Sequence, residues 1–413
     1  MAVEPGETED ARSRKVPAIV WGLGLVSLLT DAAADMIVPL LPAVLASVGG
    51  GPQALGLMEG AAEGLSAGFK YFGGSLADRG IAARYLVVGG YGVAAVVRPF
   101  YAFVGAPWHA LALRSVDRIG KGLRSAPRDA ILAASVVPAR RAYAFGIHRG
   151  MDNLGAVVGG LTSFLLLSVW ELSLEQVLIA SFIPGLLSTI VAALLLRRRA
   201  AEPPTVARSS VQSAAVPSVA QASFPAALKL VLGLVALFSL AGASDTFLMA
   251  HLLAQGVTLK WLPLVWIGLQ LGKSLLNAPG GLLADRVGVA KATSLSWLLY
   301  AAAYLGFTCS TSAATTIAFF ALYAFHFGLG EGAEKALITR LAPAALRGRA
   351  LGANHAVVGV GLLGANVGFG LLYAYDPRAA FGAVATVSAL AAFGLIIALP
   401  RLRPAQGEGC EEA

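Results

Sequence analysis

Residues 114 to 130 read RSVDRIGKGLRSAPRDA, seven charged side chains in seventeen positions. Guanidinium and ammonium groups grip anions, and a carboxylate held beside them in a poorly hydrated place can exchange protons. At about 100° per residue, a helix starting at Arg114 gathers Asp117, Arg118, Lys121, Arg124, Arg128 and Asp129 into an arc of roughly 140°. Val116, Ile119, Leu123, Ala126 and Pro127 take the other side. Two chemistries fit this wet face. In one, Arg114, Asp117, Arg118 and Lys121 form a substrate-binding ladder for an anion, because five basic residues outnumber two acidic ones. In the other, Asp117 pairs with Lys121 four residues on, and Arg124, Arg128 and Asp129 are a gating latch. Pro127 leaves the Leu123 carbonyl without its helical donor and invites a kink.

Other ionisable residues sit in apolar surroundings. Asp31 and Asp35, in LLTDAAADMIVPLLP, lie one turn apart on one face, with Pro39 and Pro42 beyond. A carboxylate in a partly dry cavity can load and unload a proton near neutral pH, the requirement for proton-coupled transport. The competing reading is a permanent ion pair with an arginine of the charged stretch. Asp245, in a Ser-Asp pair that answers Thr30-Asp31, is a further proton-coupling candidate, as is His326, which could equally be a packing residue. Glu331, Glu334 and Lys335 follow His326, and Glu331 with Lys335 makes a structural i,i+4 pair. Glu59, Glu63, Lys70, His148, Arg149 and Asp152 rank behind these. Lys273 has no partner in its own predicted helix.

The elements that must carry these groups are membrane helices. The chain is 57% hydrophobic and 13% charged, with a mean hydropathy of +0.73, whereas a soluble surface needs about a quarter of residues charged. Apolar runs near twenty residues recur throughout, the length a bilayer requires, and the short alternating segments of a β-barrel are absent. The expected class is an all-α membrane protein of twelve transmembrane helices, over 17–48, 53–77, 82–105, 108–134, 142–170, 172–197, 225–255, 258–284, 289–310, 313–341, 347–374 and 377–399. These divide into a tail (1–16), a six-helix bundle (17–197), a Ser/Ala/Pro-rich linker (198–224), a second six-helix bundle (225–399) and a C-terminal tail (400–413). Lys and Arg concentrate in one set of connections, with Arg79, Arg84, Arg140, Arg141, Arg197, Lys291, Arg347 and Arg349. That places both termini, tails and linker in the cytoplasm. The first apolar run is too long for a signal peptide. The net charge of +8 reflects helix ends rather than nucleic-acid affinity, and Cys309 and Cys410 make neither a disulfide framework nor a metal cluster.

The chain also repeats itself. GGSLADRG (73–80) returns as GGLLADRV (280–287), and DAILAASVVPARRAYAFGIHR (129–149) returns as KALITRLAPAALRGRALGANH (335–355). Two six-helix pseudo-repeats form a parallel-repeat transporter architecture with substrate held midway between them. Here the residues resemble the major facilitator superfamily. Its loop signature is matched by Gly74, Leu76, Ala77, Asp78, Arg79 and Arg84, and again by Gly281, Leu283, Ala284, Asp285, Arg286, Gly288 and Lys291. Arg114, Gly120 and Gly122 match the superfamily's fourth-helix pattern, with Asp117 and Arg118 where Gln and Gly are usual. Gly146, Gly155 and Gly159 resemble the antiporter pattern of the fifth helix, with Gly160 where a proline is usual.

The resemblance, closest to bacterial drug/proton-antiporter-like members, implies the following. Helices 1, 4, 7 and 10 line the path, the pairs Asp78–Arg79 and Asp285–Arg286 act as conformational latches, the protein is monomeric, and it resides in the bacterial cytoplasmic (inner) membrane. The expected function is secondary active transport by alternating access, as proton-coupled export of a small organic solute, anionic on the argument of the basic face. The alternative is proton-driven import of an anionic nutrient or chelate. A different class, a non-transporting receptor or sensor, lacks a soluble domain to relay a signal. No nucleotide loop or zinc-protease motif is present, so neither an enzyme nor a cofactor is expected.

Overall fold

The computed structural model describes residues 17–78, 81–137, 141–200, 223–343 and 346–402. The expected N-terminal tail, most of the C-terminal tail and of the linker, and Arg79 and Arg140 lie outside the described residues, as do the side chains of Asp78, Arg141 and Glu331. Among the described residues there are helices and no strands. The α-helices are α1 (Ala18–Asp35), α2 (Leu41–Ser47), α3 (Pro52–Asp78), α4 (Ala83–Val97), α5 (Pro107–Ala134), α6 (Arg141–Ser168), α7 (Leu174–Ala180), α8 (Phe182–Ala200), α9 (Ala226–Ser239), α10 (Asp245–Ala254), α11 (Leu262–Val287), α12 (Val289–Cys309), α13 (Ala313–Leu341), α14 (Arg347–Tyr375) and α15 (Pro377–Ala398). They follow the expected segments within a few residues, and seven rods are long and apolar enough to cross a membrane. The charge-bearing α3, α5 and α11 do not meet that criterion of length and composition, and polar side chains of all three line the space between the halves.

Both leading rods of the two halves are broken. Pro39 and Pro42 interrupt the first between α1 and α2 through a short 3-10 turn, Val38–Leu40. The second breaks between α9 and α10, where the Ser244 side chain caps the restart. Each break stands beside a carboxylate, Asp35 or Asp245, the arrangement in which interrupted helices line a cavity rather than face lipid. Pro127 is accommodated inside α5, which continues to Ala134.

The halves meet along α3 with α14 and α6 with α11. One apolar core, containing Met36, Leu41, Leu55, Met58, Phe247, Leu252, Leu262, Trp266, Phe369 and Tyr373, joins both halves at the end opposite the described termini. At the terminus-bearing end each half keeps its own core, around Val26 and Leu196 or Leu23 and Leu132 in the first, and around Leu228, Trp297 and Leu395 in the second. The far end is therefore sealed, and the near end is not joined by a shared core. Close packing of α1 and α6 depends on Gly155 and Gly159, because a Cβ at either would collide with the backbone of Leu28 or Ala32. Exposed Trp108, Trp170, Trp261 and Tyr375 ring the far end, and Tyr71, Tyr85 and Tyr143 the near one, as interfacial aromatics do.

Candidate functional site between the halves

A central cavity of about 300 Å³ is lined from the first half by Asp31 and Asp35 of α1, Glu59 and Glu63 of α3, and Arg98 just beyond α4. The face Arg114, Asp117, Arg118, Lys121 and Arg124 of α5 and Arg149, Asp152 and Asn153 of α6 complete that side. Ser244, Asp245, Thr246, Trp266 and Gln270 close it from the second half. The amphipathic face of α5 thus looks inward, while Val116 on its back is exposed. A site of this size suits a small organic molecule.

Two buried ion pairs organise the wall. Arg114 Nη2 stands 3.0 Å from Glu59 Oε1 and 3.1 Å from Oε2. Arg98 Nε donates to Asp117 Oδ1 at 3.1 Å, and its Nη1 donates to the Thr30 carbonyl at 2.8 Å. The expected Asp117–Lys121 pair is therefore overturned. A planar guanidinium arriving from the neighbouring rod satisfies Asp117 and a backbone carbonyl together, which a lysine one turn along the same helix cannot do. Arg114 is likewise already committed to Glu59. Arg124 donates to the Gly90 carbonyl at 3.1 Å and covers the Tyr91 ring at 4.3 Å. Arg128 and Asp129 pair with each other at 2.8 Å, away from the cavity lining.

The expected ion pair between Asp31 and an α5 arginine does not form either. Six cations and seven carboxylates line the cavity. Setting aside Arg98–Asp117, Arg114–Glu59 and Asp245, which pairs with Lys273, leaves Arg118, Lys121, Arg124 and Arg149 against Asp31, Asp35, Glu63 and Asp152. Among the described residues these eight make no Lys/Arg–carboxylate contact within 4 Å. Asp152 instead lies 3.5 Å from His148 Nδ1. The basic surplus of α5 alone is thus cancelled by carboxylates from α1, α3 and α6. Arg118 Nε is buried without a hydrogen-bond partner.

The second half is built differently. Lys273 Nζ contacts the Asp245 carboxylate, which also accepts from Tyr323 OH at 2.6 Å, and the ammonium lies 4.1 Å from the Phe327 ring centroid. His326 is buried, with Nδ1 2.8 Å from Ser296 Oγ and 2.9 Å from the Ser296 carbonyl. It lines a neighbouring cavity of about 470 Å³ with Phe238, Trp297 and Phe327. Among the described residues, three hydrogen bonds cross between the halves: Trp266 Nε1 to Asp35 at 2.7 Å, Asn153 Nδ2 to Ser274 Oγ at 2.8 Å, and Ser244 Oγ to Glu59 at 3.3 Å. Asp285 and Arg286 are exposed at the near end and form no ion pair among the described residues.

Arg98, Trp266 and Gln270 escaped sequence reasoning. Arg98 had a signal, a lone guanidinium inside the apolar run VAAVVRPFYAF. Glu59, ranked low because it lies on the second rod, proves to be a buried partner of the charged face.

A many-helix membrane protein whose halves enclose a charged cavity belongs to the class of membrane transporters rather than enzymes. The chain belongs to the Major Facilitator Superfamily, whose family model matches residues 23–272 and 263–411. It is similar to an uncharacterised MFS-type transporter of Methanocaldococcus jannaschii, with 29% identity over 381 residues that cover 91% of this chain and 93% of the relative. An uncharacterised Mycobacterium tuberculosis protein is 25% identical over 387 residues, 92% of this chain and 93% of that one. In fold, the chain is similar to a bacterial homologue of the human lysosomal transporter Spinster, solved inward-facing and occupied, with a TM-score of 0.76 and 16% identity over 94% of this chain and 98% of that one. A POT family transporter bound to a thioalcohol-conjugated peptide has the same TM-score at 13% identity, over 93% of this chain and 96% of that one.

Proposed function

We propose that this transporter carries protons and a small organic anion together through the central cavity, with Asp31 and Asp35 as the proton-loading groups and Arg118 and Lys121 as the anion-binding groups. The observation that carries this reading is the balance of unmatched charges, four cations against four carboxylates among the described residues. With every carboxylate ionised the unmatched set is neutral. Each proton that lands on Asp31 or a neighbour leaves one positive charge uncompensated, and an anion restores neutrality. Two unit charges about 4 Å apart at an effective dielectric near 20 interact by about 4 kcal/mol, and a quarter of that is about a fivefold change in affinity. Linkage is reciprocal, so the anion also strengthens proton binding.

Of the two directions weighed from the sequence, this favours proton-driven uptake. Exchange of an outgoing anion for incoming protons would require the cavity to hold the anion best when it holds fewest protons. The antiporter-like glycines Gly155 and Gly159 support a tight α1–α6 contact that either direction can use. The Lys/Arg-rich connections support an orientation with both termini cytoplasmic, and the family resemblance supports a monomer in the bacterial inner membrane. In that orientation the sealed far end faces outward, as it would in an inward-facing state.

The test uses proteoliposomes holding a pH-sensitive dye, with organic carboxylates added outside and protein-free vesicles subtracted. Joint movement acidifies the lumen, and Asp31→Asn removes the acidification. Alkalinisation on adding the anion would establish exchange and sink the proposal.

A further inference from the structure

The central cavity is not the whole of the enclosed space. The 470 Å³ cavity in the second half shares Arg149, Asn153, Asp245 and Gln270 with it, so the two adjoin at those residues. Their chemistry differs sharply. The first is walled by charge. The second presents the half-buried rings of Phe238 and Phe327 and the buried Trp297, along with the amides of Gln270 and Asn277. Its cation Lys273 is already held by Asp245, and Glu334 and Lys335 lie about two turns nearer the terminus-bearing end of α13 than His326. At the junction, Gln270 Oε1 is buried and accepts no hydrogen bond, an unmet acceptor in a place where water and solute must compete. A molecule spanning both compartments therefore needs an anionic end, a flat apolar body and a donor between them.

Building on the proton–anion reading, we propose that the substrate is an aromatic hydroxy acid. Its carboxylate sits on Arg118 and Lys121, its hydroxyl donates to Gln270, and its ring packs against Phe238 and Phe327. The aromatic wall rewards a planar ring by area and by edge-to-face contact. The unmatched amide oxygen discriminates for the hydroxyl, because a site built to accept a hydrogen bond is penalised when the donor is missing. Phe238 is itself fixed by stacking on Trp297 at 4.6 Å and 8°, which keeps its ring edge in place rather than free to collapse inward.

The experiment is calorimetric titration of the full chain in nanodiscs with four probes that vary ring and hydroxyl independently: acetate, glycolate, phenylacetate and mandelate. Mandelate is expected to bind tightest, about tenfold or more above glycolate for the ring, and severalfold above phenylacetate for the hydroxyl. Phe327→Leu and Phe238→Leu should shrink the mandelate-to-glycolate ratio. Gln270→Leu should shrink the mandelate-to-phenylacetate ratio while leaving the ring preference in place. Thermal unfolding checks that each variant is folded. Four probes binding alike, with Arg118→Gln weakening all of them, would overturn the aromatic assignment and leave the anion reading standing. Binding of none of them, together with no proton movement in the vesicle assay, would overturn both. A ring preference that survives both phenylalanine variants would place the ring elsewhere and refute this site.

Discussion

The two halves descend from one repeated pattern, yet they handle charge in opposite ways. The first half crowds its cavity face with cations and carboxylates, ties two pairs together in buried contacts, and leaves eight charged groups that, among the described residues, make no Lys/Arg–carboxylate contact within 4 Å. The second half brings Asp245 and Lys273, matched to each other, Glu334 and Lys335 toward the terminus-bearing end, and otherwise mainly amides, hydroxyls and rings. Matched pairs are architecture, since removing one partner strands a charge. The groups without an ion pair are the ones to which the proposed function assigns protons and solute. The repeat supplied the scaffold twice, and on the proposed reading the two copies divide electrostatic work from shape recognition.

The contrast can be broken first where the wall is most buried. Glu59→Ala strands the Arg114 guanidinium and is expected to cost about 3–5 kcal/mol, read as a large loss of thermal stability in detergent. Asp245→Ala strands Lys273, which is half-buried and still leans on Phe327, and should cost clearly less, about 1–3 kcal/mol. Equal losses from the two would erase the distinction between halves. Asp31→Asn tests the unmatched set. Proton-linked solute movement should fall at least about a hundredfold, equivalent to about 2.7 kcal/mol in barrier height. Unfolding should hardly shift, because Asp31 makes no Lys/Arg contact within 4 Å. Smaller still, Arg98→Lys retains the charge but loses the fork that joins Asp117 to the Thr30 carbonyl, for about 1–2 kcal/mol of stability. Trp266→Phe removes the donor to Asp35 across the halves, with part of the indole's packing, and should loosen the far end by about 1.5 kcal/mol, seen as faster hydrogen exchange in α2 and α10.

Much of this was legible in the chain. Apolar run lengths and punctuation placed the helices, because in a bilayer each segment satisfies its own backbone and its length is dictated by thickness. The inward orientation of Arg114, Asp117, Arg118, Lys121 and Arg124 followed from helical periodicity and the expense of exposing charge to lipid. What periodicity cannot supply is who meets whom across helices. Arg98 reaches Asp117 nineteen residues away, Glu59 reaches Arg114 fifty-five away, and Asp35 meets Trp266 across the whole linker. For that reason α5 read alone suggested a basic surplus, and only the assembled bundle reveals its cancellation. The same limit hid the pairing of Lys273, whose partner lies on another helix.

The shared apolar core at the far end carries a thermal consequence. Alternating access must at some point part Met36, Leu41 and Met58 from Phe247, Leu252 and Phe369 and wet them. Exposing apolar surface raises heat capacity. The step that opens this end should therefore have a positive activation heat capacity, and the apparent activation enthalpy of turnover should climb with temperature instead of staying constant.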